Sequence, residues 1–92
     1  MNRFKEMASF VSVADRGSFA AAAAEEGVTP VVIGRRIDAL EKRLAAQLLH
    51  RSTRRLTLTE DGAVFLEQCR RVLADVETAE SAVSAGRHAA IG

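Results

Sequence analysis

Apolar side chains recur at helical spacing in the first fifteen residues, at Phe4, Met7, Val11 and Ala14, with Phe10 beside them. The spacing predicts a helix from about Arg3 to Asp15 with that stripe inward. Gly17 supplies a stop, and Ser18 is placed to cap a second helix running from Phe19 to Glu26. Its five consecutive alanines favour helix and leave little bulk, so a neighbouring helix can approach closely. Gly27-Val28-Thr29-Pro30 follows: Gly for the left-handed turn, Thr29 as the next cap, and Pro30 at the first helical position. Two helices joined by so short a Gly-containing turn describe a helix-turn-helix.

A third helix is predicted from Pro30 to about Ala46. At 100° per residue it sorts into a core stripe of Ile33, Ile37, Leu40 and Leu44 and an opposite face of Val31, Arg35, Asp38 and Lys42. Gly34 lies at the margin, and Arg36 and Arg43 lie on one flank. Leu48 to Arg51 and Leu56 to Leu58 read as two short strands around Ser52-Thr53-Arg54-Arg55, a hairpin with a basic tip. Thr59 then caps a long last helix, with Glu60 and Asp61 favourable at its N-terminus. Within it Leu66, Cys69, Leu73, Val76 and Val83 form a stripe, widened by Phe65, Val72 and Ala79 and interrupted by Glu80. Three small helices cannot cover a stripe of that length, so its distal part calls for a second chain. The segment from Ser84 to Gly92 is expected to fray or to lead into a linker.

Ninety-two residues make one small unit, for which help from a partner subunit is plausible. The longest apolar run, Phe19 to Ala24, is far too short to span a bilayer, and the N-terminus has no apolar segment to serve as a secretion signal. A lone Cys69 forms no internal disulfide, which predicts a reducing, cytoplasmic setting. The net charge of +1 conceals an uneven distribution. Residues 27–59 carry seven Arg and Lys against two Asp and Glu, between a nearly neutral N-terminal and an acidic C-terminal flank. A basic island of this kind marks a surface for a polyanion.

Enzymatic readings find little support. The two histidines, His50 and His88, fall on the hairpin and the chain end, with no convergent titratable partners, so no catalytic residue is assigned. Neither the paired Cys or His spacing of a zinc site nor a phosphate-cradling Gly loop is present, and no metal or cofactor is expected. Cys69 on an apolar stripe is a core residue rather than a nucleophile.

The chain resembles the N-terminal domain of LysR-type transcriptional regulators. The resemblance runs through Phe10-Val11-Ser12-Val13-Ala14, Gly17-Ser18-Phe19-Ala20-Ala21-Ala22, Arg35-Arg36-Ile37-Asp38-Ala39-Leu40-Glu41, Leu48-Leu49-His50-Arg51-Ser52-Thr53-Arg54 and Leu58-Thr59-Glu60-Asp61-Gly62. It implies a mainly α winged helix-turn-helix, three helices plus a two-stranded wing over residues 1–59, and a linker helix over residues 60–92 that dimerises. It implies no enzyme, and double-stranded DNA and a second copy as partners. A small-molecule effector would act only through a C-terminal domain that these residues do not include. Four positions depart from the family pattern: Ala24 where it commonly has Arg or Lys, Glu26 where it usually has Leu, Gly34 where it often has Ser, and Ala45 where it commonly has Gly. Glu26 either hangs exposed at a helix end or pairs with a nearby Arg.

The third helix is then expected in the major groove, with Arg35 reading a base, since Arg matches guanine bidentately there. Pro30, Val31 and Val32 would touch thymine methyls or sugars, with burial against the second helix an equal alternative for Val32. Gly34 permits close approach. Ser18 and Thr29 can bind phosphates at helix starts, besides capping them. Arg36 and Arg43 are phosphate contacts or solvated charges. In the wing, Arg54 is the candidate for the minor groove, with Arg51, Thr53 and Arg55 on phosphates. Arg51 has the alternative of a salt bridge to Glu41 or Asp38. Leu66, Cys69, Leu73, Val76 and Val83 are the dimerisation candidates. The competing reading is a helical protein-interaction module that dimerises without touching DNA.

Overall fold

The structure, a computed structural model, describes residues 2–52 and 55–91, with side chains through residue 85. Helices α1 (Arg3–Arg16), α2 (Phe19–Glu26) and α3 (Pro30–Leu44) precede strands β1 (Leu49–Arg51) and β2 (Leu56–Leu58), and α4 (Glu60–Ile91) closes the order. Each junction has its local cause. The Asn2 side chain accepts from the Phe4 and Lys5 amides at 2.8 and 3.2 Å, and Gly17 ends α1 at φ 80°. Ser18 accepts from the Ala21 amide at 3.0 Å, and Thr29 from the Val32 amide at 3.3 Å, with Pro30 at the first position of α3. Ala45 ends α3 in the left-handed region, φ 52° and ψ 40°, a conformation that favours the glycine seen there in the family pattern.

The strands pair antiparallel in the register Leu49–Leu58, His50–Thr57 and Arg51–Leu56. Thr59 ties this hairpin to the last helix. Its amide donates to the Leu48 carbonyl at 3.0 Å, its hydroxyl donates to the Gln47 carbonyl at 2.6 Å, and the hydroxyl accepts from the Gly62 amide at 2.9 Å. Gly62 is seated so closely on this junction that a Cβ would fall 2.0 Å from the Leu48 carbonyl oxygen. Here only glycine fits, because the obstacle is backbone.

The core gathers Phe10, Val13, Ala22, Ala23, Ile33, Ile37, Leu40, Leu48, Leu49 and Cys69. Three expectations change. The fully buried positions of α1 are Glu6, Ser9, Phe10 and Val13, while Met7 and Val11 of the expected stripe pack only partly against the core and Phe4 is 43% exposed, so the inner face is shifted toward the Phe10 side. The α3 stripe holds at Ile33, Ile37 and Leu40, but Leu44 at the helix end is 40% exposed. Cys69, expected on the dimer face, is fully buried inside this chain, and burial pushes its thiol up to about 11. With Phe65 lying 5.8 Å from Phe10, ring centre to ring centre, the first turns of α4 belong to the core, and packing runs across the boundary expected at residues 59/60. Beyond them the helix projects. It continues to Ile91, where fraying from Ser84 was expected. No helix among the described residues is long and apolar enough to cross a membrane.

Candidate nucleic-acid interface

Helix α3 is held on both flanks by ion pairs of opposite sense. Arg36 and Arg43, seven residues apart and so on one side of the helix, reach back into the three-helix body. The Arg36 guanidinium donates to Glu26 at 3.2 Å and to the Ser9 hydroxyl at 3.1 Å, and that hydroxyl lies 3.1 and 3.0 Å from the two Glu26 oxygens. Only 14% of the Arg36 side chain is exposed. Arg43 pairs with the fully buried Glu6 of α1.

On the other flank the signs reverse. Glu41 accepts from the Leu48 and Leu49 amides at 2.8 and 3.3 Å, and both Glu41 and Asp38 pair with Arg51 of β1, at 3.1 and 2.8 Å. The Arg51 guanidinium also lies 5.3 Å from the centre of the Phe19 ring, a cation–π arrangement. Phe19 in turn sits under α3, where a Cβ on Gly34 would be 3.7 Å from it. One arginine thus links the wing, the third helix and the start of α2.

What remains on the solvent face of α3, beside the paired Asp38, is Val31, 62% exposed, followed by exposed Arg35 and Lys42. Arg35 and Lys42 form no salt bridge among the described residues, and neither does exposed Arg55 at the wing. At the wing the Arg55 amide donates to the Ser52 hydroxyl at 3.1 Å, and that hydroxyl donates to the Arg55 carbonyl at 2.7 Å. Thr29 and Pro30 are exposed at the start of α3, Ser18 is half-buried at the start of α2, and Val32 and Gly34 are half-buried. Thr53 and Arg54 lie outside the described residues.

Two arginines among the expected contacts are engaged within the chain. Arg36 is drawn into a carboxylate pair with Glu26 of α2 and is not a solvated charge. Arg51 takes the salt-bridge alternative, with both proposed carboxylates at once. Glu26 is the paired residue, not the exposed one. Sequence reasoning missed Glu6 and Ser9 as interior polar groups; their spacing with Phe10 and Val13 was the signal that could have found them. No group of three or more His, Cys, Asp or Glu side chains that could hold a metal occurs among the described residues.

On α4 the exposed hydrophobics include Val72, 43% exposed, and Val83, 58% exposed. Leu73 and Val76 are half-buried, and Leu66 packs partly against the core. Arg70 of α4 pairs with Asp15 of α1. Its hydrogen bonds hold the Asp15 carboxyl below the ordinary carboxylate range.

A family model described as a bacterial regulatory helix-turn-helix protein, lysR family, matches residues 4–63. An HTH-type transcriptional regulator of Xanthomonas campestris is 51% identical over 74 residues, 80% of this chain and 22% of that protein. An HTH-type transcriptional repressor of Pseudomonas aeruginosa is 37% identical over 92 residues, 100% of this chain and 29% of that protein. The chain therefore spans less than a third of the length of these relatives. Among solved structures, the CbnR DBD–DNA complex superposes with a TM-score of 0.85 at 37% identity, covering 94% of this chain and 98% of that one. The BenM DBD complex with catB site 1 DNA gives 0.86 at 28% identity, covering 91% and 92%.

Proposed function

Because the chain belongs to the lysR family of bacterial regulatory helix-turn-helix proteins, we propose that it is the sequence-reading part of a transcription regulator and binds double-stranded DNA as a homodimer. Helix α3 enters the major groove with Arg35 on a base edge and Val31 and Pro30 against methyls or sugars. Lys42 and Arg55 hold phosphates, and the N-termini at Ser18 and Thr29 add backbone donors. The basic wing follows the adjacent minor groove, with Arg54 assigned to the groove and Thr53 to a phosphate. Arg51 supports this surface by fixing the wing to α3. Two copies pair through the projecting α4 by way of Val83, Val76 and Leu73, with Leu66 at the inner edge; Cys69 is withdrawn from that set. The reading assigns residues 1–59 to DNA and residues 60–92 to pairing, with the first turns of α4 also closing the core. It includes no catalysis and a cytoplasmic location, and an effector would act through parts of the protein beyond this chain.

One observation carries the reading: the helix that follows the Gly-containing turn keeps Arg35 and Lys42 exposed and unpaired while three neighbouring arginines are neutralised. That the CbnR and BenM domains, which superpose on this chain, are solved in complex with DNA supports DNA as the ligand. With Arg36, Arg43 and Arg51 engaged in ion pairs within the chain, roughly two to four phosphates are neutralised per subunit, which gives a dimer a log–log salt slope of about −4 to −7. Titrating random-sequence duplex against salt tests it. A slope near zero would leave the helical interaction module as the function.

A further inference from the structure

We propose that Glu26 is a specificity-determining residue: by holding Arg36 inside the body, it keeps a cation off the phosphate walls beside α3. The inference rests on the DNA-binding reading and concerns a residue that makes no contact with DNA itself.

Arg35 and Arg36 are adjacent, yet Arg35 is exposed and Arg36 has 14% of its side chain exposed. Arg36 turns inward because a carboxylate and a hydroxyl are waiting, at 3.2 and 3.1 Å. Glu26 is otherwise badly placed. It is the last residue of α2, where the helix dipole disfavours negative charge, and that last turn contains no basic residue. Its side chain is only 22% exposed, and its hydrogen-bond partners are Ser9 and Arg36. The arrangement is therefore mutual: the carboxylate requires the guanidinium, and the guanidinium stays folded because of the carboxylate.

Deprived of Glu26, a guanidinium in that position loses its compensating charge and swings to solvent along the flank of α3. When α3 lies in a major groove, that flank faces the sugar–phosphate backbone. An arginine–phosphate pair formed there is blind to sequence: it strengthens binding to every duplex and so narrows the gap between operator and bulk DNA. Glu26 thus keeps the non-specific background low without reading any base.

The test measures salt slopes on a random-sequence duplex for the chain and four variants, each checked for helical content. Glu26→Leu should steepen the slope by about 2 for a dimer, one added phosphate per subunit, so binding changes roughly tenfold more than wild type between 50 and 200 mM salt. Glu25→Leu removes the same charge one residue away and frees exposed Arg16, which is not on α3; it should change the slope by much less. Glu26→Leu combined with Arg36→Met should return the slope to wild type. Arg36→Met alone should leave it unchanged, and this variant decides the matter even if Glu26→Leu fails to fold. Equal slopes for Glu26→Leu and Glu25→Leu would overturn the proposal. So would a shallower slope for Arg36→Met, since Arg36 would then already sit on a phosphate. A wild-type slope of zero would instead remove the DNA reading beneath it.

Discussion

The solvent face of α3 and its two flanks carry the same kinds of charged side chain and put them to different use. On the flanks, Arg36 and Arg43 meet carboxylates of α2 and α1, while Asp38 and Glu41 meet the arginine of β1. On the face, Arg35 and Lys42 are exposed and form no salt bridge among the described residues. A rotation of one residue, about 100°, separates Arg35 from Arg36 and decides which is paired inside the body and which is exposed to solvent. Counting charges along the chain therefore overstates the basic surface. Three of the seven cations in the central island, Arg36, Arg43 and Arg51, are tied into ion pairs that hold α3, while Arg35, Lys42 and Arg55 stay exposed without a salt bridge among the described residues.

The division between flank and face can be broken from either side. The largest expected effect is Arg43→Met, which strands buried Glu6 without its counter-charge. Stability should fall by about 3–5 kcal/mol in denaturant titration, while the salt slope on DNA keeps its wild-type value. Adding Glu6→Leu to that variant should recover most of the loss, since an apolar pair replaces a buried ionic one at little net cost. A flattened slope with unchanged stability would place Arg43 on the face. Arg35→Ala should show the converse pattern: unfolding within about 0.5 kcal/mol of wild type, but about 1–3 kcal/mol lost against DNA fragments selected by the wild-type chain. Equal losses on selected and random DNA would take Arg35 out of base recognition.

At the end of α3, where neither flank nor face applies, Ala45→Gly should stabilise by about 1 kcal/mol, because a left-handed alanine becomes a residue without a Cβ. A shifted denaturant midpoint with an unchanged slope of the transition checks it. The exposed Asp15–Arg70 pair gives the smallest effect and a reference for the buried ones. The Asp15 carboxyl is depressed when folded, so its contribution is present above the unfolded carboxylate value and is lost as pH falls through the folded one. Asp15→Asn should accordingly narrow the stability difference between neutral and acid pH only slightly, since exposed pairs are strongly screened. A loss comparable to that of Arg43→Met would erase the distinction between buried and exposed pairing.

Much of this architecture was legible because its causes are local. Helix limits followed from Gly17, Ser18, Gly27, Thr29 and Pro30, whose capping geometry involves residues two to four positions away. The core stripe of α3 followed from its period, and the hairpin from two short β-prone runs. The phase of α1 was only partly legible, because its apolar residues fit two adjacent stripes and the inner one carries Glu6, whose partner Arg43 comes from α3. The fate of Arg36 was equally hidden: Glu26 is ten residues away along the chain, and only the crossing of α2 and α3 brings the two within 3.2 Å.

Taken by itself, the amino-acid order determined the sequence of elements, their caps and the concentration of positive charge in the middle third. The tertiary structure decided which of those charges face outward, that Cys69 closes the core of its own subunit, and that Gly62 must be glycine beneath the Leu48 carbonyl. The reason is one of range. Helical period and capping are set within a few residues of chain, whereas neutralising a buried charge or excluding a Cβ depends on atoms from distant segments that meet only after packing.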